Sequence, residues 1–173
     1  ALPIPTQIVM TISDIIKNNI LYAIPAVIVF LYLLKKYYAT KPGKLVIDTL
    51  LLKLPVFGPL IRKVSVAKFT RTLGTLLQSG VPILQAIEIT GKTAGNKVIE
   101  GAILSLIGEI QQGKTIAEPL GQSKVFPSMV ISMIGVGEAV GALDSMCEKV
   151  ADFYDEEVDA AVEGLTSLLE PLL

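Results

Sequence analysis

Gly108-Glu-Ile-Gln-Gln-Gly-Lys-Thr115 carries glycine, glycine, lysine and threonine at the spacing of a phosphate-binding loop. In that chemistry the glycine amides curl around phosphates between a strand and a helix, and the lysine reaches the outer phosphates. The surroundings speak against it. Val98 to Ile110 holds a helical apolar period, so a helix rather than a strand leads into the segment. Gly113 is placed to end that helix, and Thr115 and Glu118 have the spacing of a capping box for the next one. Pro119 stands where a phosphate-binding helix would run on, and no later apolar strand ends in an aspartate to hold magnesium. The segment is expected to be a helix-to-helix turn. A membrane-anchored nucleotide-binding protein using Gly108 to Thr115 is the alternative.

The second constellation is acidic: Asp152, Asp155, Glu156, Glu157 and Asp159. Carboxylate oxygens suit a hard cation such as calcium. A continuous helix splays them apart, however, and the glycine of a calcium loop is lacking. They read as a solvated face that can meet a basic partner. The chain has no histidine and one cysteine, Cys147. That removes imidazole bases, Ser-His and Cys-His nucleophile pairs, histidine-ligated metals and internal disulfides. No catalytic residue, cofactor or metal is expected, and the chain reads as a non-enzyme.

The net charge of -1 conceals an asymmetry along the 173 residues. Residues 35–71 hold nine bases and one acid, whereas residues 138–170 hold ten acids and one base. The basic end suits anionic lipid headgroups. The acidic end meets a basic partner, or faces the basic end within one bundle, or each end is a solvated helix face.

The elements that must carry these residues are helical. Val66, Phe69, Leu73, Leu76 and Leu77 mark one face; Leu84, Ile87 and Ile89 another; Ile99, Ala102, Ile103, Leu106, Ile107 and Ile110 a third. Met129, Val130, Met133 and Ile134 follow, and then a long stripe from Leu143 through Met146, Val150, Tyr154, Val158, Ala161 and Leu165 to Leu168. Between them lie helix stops and starts. Thr40 to Gly43 breaks the chain, Pro55 ends an apolar stretch, and Val56 to Pro59 reads as a tight turn. Gly80 fits the left-handed residue after a helix, Pro82 the first turn of the next, and Asn96 a helix cap. Gly137, Glu138 and Gly141 read either as close backbone packing around one acid or as a flexible junction. No segment alternates like a strand, so the fold is expected to be all-α, an antiparallel bundle.

Residues 20–34 are fifteen uncharged residues followed by Lys35-Lys36-Tyr37-Tyr38. Alone they cover about 22 Å, short of a bilayer core of about 30 Å. Joined by Ile12, Ile15 and Ile16, with Lys17 reaching toward the headgroups, they are expected to form a transmembrane helix over 17–38. Bases gather on the cytoplasmic side of a span. Residues 1–16 are then external (periplasmic), 39–164 form the cytoplasmic bundle, and the apolar end at 165–173 begins another span.

The order of several segments resembles the inner-membrane platform proteins of type IV pilus and type II secretion machines, the PilC/GspF family. They are Leu2-Pro-Ile-Pro-Thr6, Leu54-Pro-Val-Phe-Gly-Pro-Leu60, residues 69–84, Phe126-Pro127, Gly137-Glu-Ala-Val-Gly-Ala-Leu143, residues 151–159 and Leu168-Leu-Glu-Pro171. The resemblance implies that the chain is the second half of a multi-pass protein of the inner (cytoplasmic) membrane. It implies a bundle of about six helices beneath the lipid bilayer in contact with a hexameric assembly or retraction ATPase, acting on pilin or pseudopilin subunits. Other inner-membrane alignment proteins of the machine and further copies of the chain are implied partners, and nucleic acid is not. It also implies a scaffold without catalysis, in which residues 108–115 are a turn. The acidic residues 152–159 are the chosen partner-facing surface, because complementary charge guides docking.

Overall fold

The structure, a computed structural model, describes residues 20–169. Eight helices follow one another, and no strand occurs among the described residues. They are α1 (Ile20–Tyr38), α2 (Lys41–Lys53), α3 (Phe57–Gln78), α4 (Ile83–Thr93), α5 (Lys97–Gln111), α6 (Ala117–Gln122), α7 (Ser128–Val140) and α8 (Leu143–Leu169). The chain divides into two compact units, the first ending at Lys44 and the second beginning at Leu45.

In the first unit, α1 exposes eight consecutive residues, Val27 to Leu34, on every side. The expected span over 17–38 begins outside the described residues; among the described residues no helix is long and apolar enough to cross a membrane. The apolar part of α1 ends at Leu34, and Lys35 and Lys36 occupy its last turn. Lys17 and the isoleucines meant to lengthen it lie outside the described residues, as do the external segment 1–16 and residues 170–173. The break after α1 is shorter than expected. Only Ala39 and Thr40 leave the helix. Thr40 caps α2, its Oγ1 accepting from Gly43 N at 3.2 Å and donating to Tyr37 O at 2.6 Å.

In the second unit the stripes converge on one core. Val66, Phe69 and Leu73 of α3, Ile87 of α4, and Ile99, Ile103 and Leu106 of α5 are fully buried. They meet Leu120 of α6, Val130 and Ile134 of α7, and Val150 of α8. Phe69 and Phe126 place their rings 4.9 Å apart at a tilt. Each such side chain contributes about 1.5–3 kcal/mol by leaving water. The bundle has seven helices rather than about six, because α2 adds Leu52 to the core and α6 forms a separate short turn of helix. Two stripe assignments fail: Ile89 and Met129 are exposed. The turn expected at Val56 to Pro59 is the first turn of α3. Pro82 stands just before α4, as its cap residue, rather than inside its first turn.

Candidate functional site

The long seam between α3 and α8 organises the acidic surface. Gly74 makes the close approach possible: a Cβ there would lie 3.1 Å from Asp144 O and 3.2 Å from Cys147 Cβ. From that point the two helices run antiparallel, since rising numbers on α3 meet falling numbers on α8. Arg71 donates to Asp152 at 2.6 Å and to Asp155 at 2.7 Å, and Lys63 donates to Glu157 at 2.7 Å. Hydrogen bonds to Asp155 and then Asp152 raise the Arg71 pKa above its ordinary value. These opposed charges therefore face each other within the bundle, one of the three arrangements the sequence allowed. Asp152, Asp155 and Glu157 are engaged there, while Glu156 and Asp159 lie on the exposed surface. No group of carboxylates among the described residues is arranged to hold a metal ion.

The phosphate-loop lookalike takes a different form from its motif. Gly108 to Gln111 are the last turn of α5. Gly113 is left-handed at φ 86, and its amide donates to Ile110 O at 3.0 Å. Lys114 N donates to Glu109 O at 3.2 Å, which closes a helix end of the Schellman type. The amides that would cradle phosphate thus satisfy the helix's own carbonyls. Lys114 Nζ binds Glu109 at 2.9 Å, and that bond raises its pKa.

The next amides are held by an anion from this chain. Both oxygens of Glu138 accept from Ile116 N, at 2.8 and 2.9 Å, and Oε2 also accepts from Ala117 N at 3.4 Å. The capping box expected from Thr115 and Glu118 is not formed, and Glu138 of α7 supplies the cap to α6 instead. Gly137 beside it packs on α8, where a Cβ would lie 2.9 Å from Met146 Cβ. Gly141, left-handed at φ 72, ends α7. Gly80, at φ 78, ends α3 in the same way, with Val81 N donating to Leu76 O at 3.0 Å. Gly137 packs closely on α8, whereas a Cβ at Gly141 would meet nothing within 4 Å.

Sequence reasoning missed Asp48. Its carboxylate is 2 % exposed and accepts from Lys97 N at 2.7 Å, at the start of α5. Asn96 shares the task, accepting from Val98 N and Ile99 N and donating to Asp48 O. The available signal was that Asp48 is the one acid among nine bases in residues 35–71. Cys147 is buried between α8 and α3, and burial pushes its thiol up to about 12, so it stays protonated and unreactive at neutral pH.

Residues 69–173 match the family described as type II secretion system (T2SS), protein F. The chain is 49% identical over 172 residues to the type IV pilus assembly protein PilC of Myxococcus xanthus, which covers 99% of this chain and 41% of that protein. It is 46% identical over 173 residues to PilC of Thermus thermophilus, covering 99% of this chain and 43% of the relative. It is 34% identical over 175 residues to the type II secretion system protein F of Xanthomonas campestris, covering 100% of this chain and 43% of the relative. The chain therefore spans less than half the length of these relatives. Its α3–α8 seam and capped junctions form the helical framework of a chain that belongs to the PilC/GspF platform protein family.

Proposed function

We propose that the chain is part of an inner-membrane platform of a type IV pilus or type II secretion machine. In this reading it is a scaffold without catalysis that couples a cytoplasmic assembly or retraction ATPase to the polymerisation of pilin or pseudopilin subunits. Family membership supports the machine, and the α3–α8 seam supports the coupling. A helix of 27 residues is keyed to its neighbour at Gly74 and cross-linked by Lys63 and Arg71. Such a pair moves as one body, because packed helices deform little. Its outer surface offers Glu156 and Asp159 to a basic partner.

The membrane part of the reading places α1 in the bilayer, with the bundle on the cytoplasmic side. Apolar side chains on every side of α1 suit lipid better than water, and Lys35 and Lys36 mark its cytoplasmic end. Nucleotide binding at residues 108–115 is not favoured, since Glu138 and the α5 carbonyls take the amides.

Glu156→Lys combined with Asp159→Lys tests the docking surface while sparing the pairs to Lys63 and Arg71. In the full-length protein, capture of the ATPase and pilus or pseudopilus assembly should fall, with an unchanged unfolding midpoint. Assembly at the native level would take this surface out of the proposal.

A further inference from the structure

The outer face of α2 and the turn after it form an apolar patch that the core does not use. Leu45, Val46 and Leu50 are 52, 52 and 61 % exposed, and with Thr49 and Lys53 they line one shallow hollow. A second hollow, lined by Leu52, Lys53, Leu54, Pro55, Pro59 and Arg62, adjoins it at Lys53. Val56 and Phe57 follow, both about half exposed. The helix is thus turned over. Its inward side carries the buried Asp48, committed to the start of α5, and its outward side carries the leucines.

We infer that this face is an interfacial element that lies against an anionic lipid surface. Three observations choose that occupant. The patch is bordered by Lys53 and Arg62, so its charge is of one sign. The single acid of α2 points inward, where its carboxylate accepts from Lys97 N, rather than being presented to a partner. A second copy of the chain is disfavoured, because a two-fold contact brings the same patch onto itself and sets Lys53 near Lys53. An apolar helix face rimmed by lysine and arginine is the pattern that sinks into the headgroup boundary of acidic membranes. The inference rests on the membrane reading of α1 and adds to it: the bundle would be held to the leaflet by its own first helix as well as by a tether.

Polarity-sensitive labels separate the two. One label is placed at Leu50→Cys, one at Val29→Cys and one at Gln111→Cys, each in the chain carrying Cys147→Ala. The protein is reconstituted in vesicles of phosphatidylcholine with or without phosphatidylglycerol, doped with a lipid bearing a nitroxide near its headgroup. The label at 50 should be quenched in acidic vesicles and the label at 111 should not. Lys53→Gln and Arg62→Gln should each weaken the association of the patch about fivefold, leaving the label at 29 quenched. A label at 50 that stays in water while 29 is quenched overturns the inference and spares the membrane reading. If 29 is not quenched either, the membrane reading itself fails. Quenching at 50 that ignores lipid charge, or shielding that grows with protein concentration in the absence of vesicles, also overturns it.

Discussion

The junction at residues 113–117 sets two readings of the same residues against each other. If Gly108 to Thr115 served phosphate chemistry, Lys114 would be the residue that matters most. The structure gives that rank to Glu138. Its carboxylate is the acceptor for Ile116 N, which sits in a residue only 4 % exposed, and it reaches Ala117 N as well. Glu138→Ala leaves a buried donor unsatisfied, at about 1–3 kcal/mol. It also uncaps α6, and losing a cap costs about 1 kcal/mol. The two overlap, so the expected loss is about 2–3 kcal/mol. Glu138→Gln keeps one oxygen in place and loses the charge, and should cost about 1 kcal/mol. Lys114→Ala removes an exposed pair to Glu109 and should leave the unfolding midpoint where it was. Urea unfolding followed by far-ultraviolet circular dichroism gives the ranking, and titration with labelled ATP gives the ligand test. A Glu138→Ala variant as stable as the parent would refute the capping argument. Micromolar ATP affinity that vanishes in Lys114→Ala would restore the phosphate loop.

Two further outcomes follow from the packing and the thiol. Gly137→Ala should destabilise by about 1–2 kcal/mol, because overpacking against Met146 and Leu143 outweighs the helical gain. Gly101→Ala, where a Cβ meets nothing within 4 Å, should instead stabilise by about 0.5–1 kcal/mol in the same urea experiment. Burial raises the Cys147 thiol from 9.0 to about 12, so its contribution is intact below pH 9.0 and is lost as pH rises toward 12. The slope is at most about 1.4 kcal/mol per pH unit. Tyr154, raised by burial and then by Glu157, acts in the same direction. Thermal melts between neutral and strongly alkaline pH should steepen in the parent and flatten in Cys147→Ala, and equal slopes would refute the assignment.

What was legible in the chain was periodicity and punctuation. The stripes on α3, α5 and α8 gave the core because burying one face of a helix repeats every three or four residues. Gly80 and Gly113 were placed correctly because a left-handed residue after a helix strongly favours glycine. Asn96 was recognised as a cap because its partners are two and three residues away. The caps that escaped come from far along the chain. Asp48 reaches across 49 residues and Glu138 across 22, and nothing local distinguishes them from solvated acids. Thr115 was misjudged for the complementary reason: its spacing to Glu118 fits a capping box, but a stronger acceptor from α7 had already taken the amides. Ile89 and Met129 failed because an apolar residue beside a stripe is not obliged to be in it.

The charge asymmetry was the most ambiguous signal, and the geometry resolves it without closing it. Base against acid across α3 and α8 explains why the two halves of the chain have opposite sign. Yet the pairs are exposed: the Asp152 and Asp155 side chains are 62 and 55 % accessible, and Arg71 is 42 %. Pairs in that setting are worth about 0–1 kcal/mol after solvent screening. A basic group on a docking partner can therefore compete with Arg71 or Lys63 at small cost, while Glu156 and Asp159 wait beside them. Internal pairing keeps the acidic face ordered in the unbound bundle and still leaves it exchangeable. The same reasoning makes the docking salt-sensitive, because the charges that guide it sit in water within a Debye length of about 8–10 Å. A surface of this kind favours fast, reversible engagement over a permanent seal.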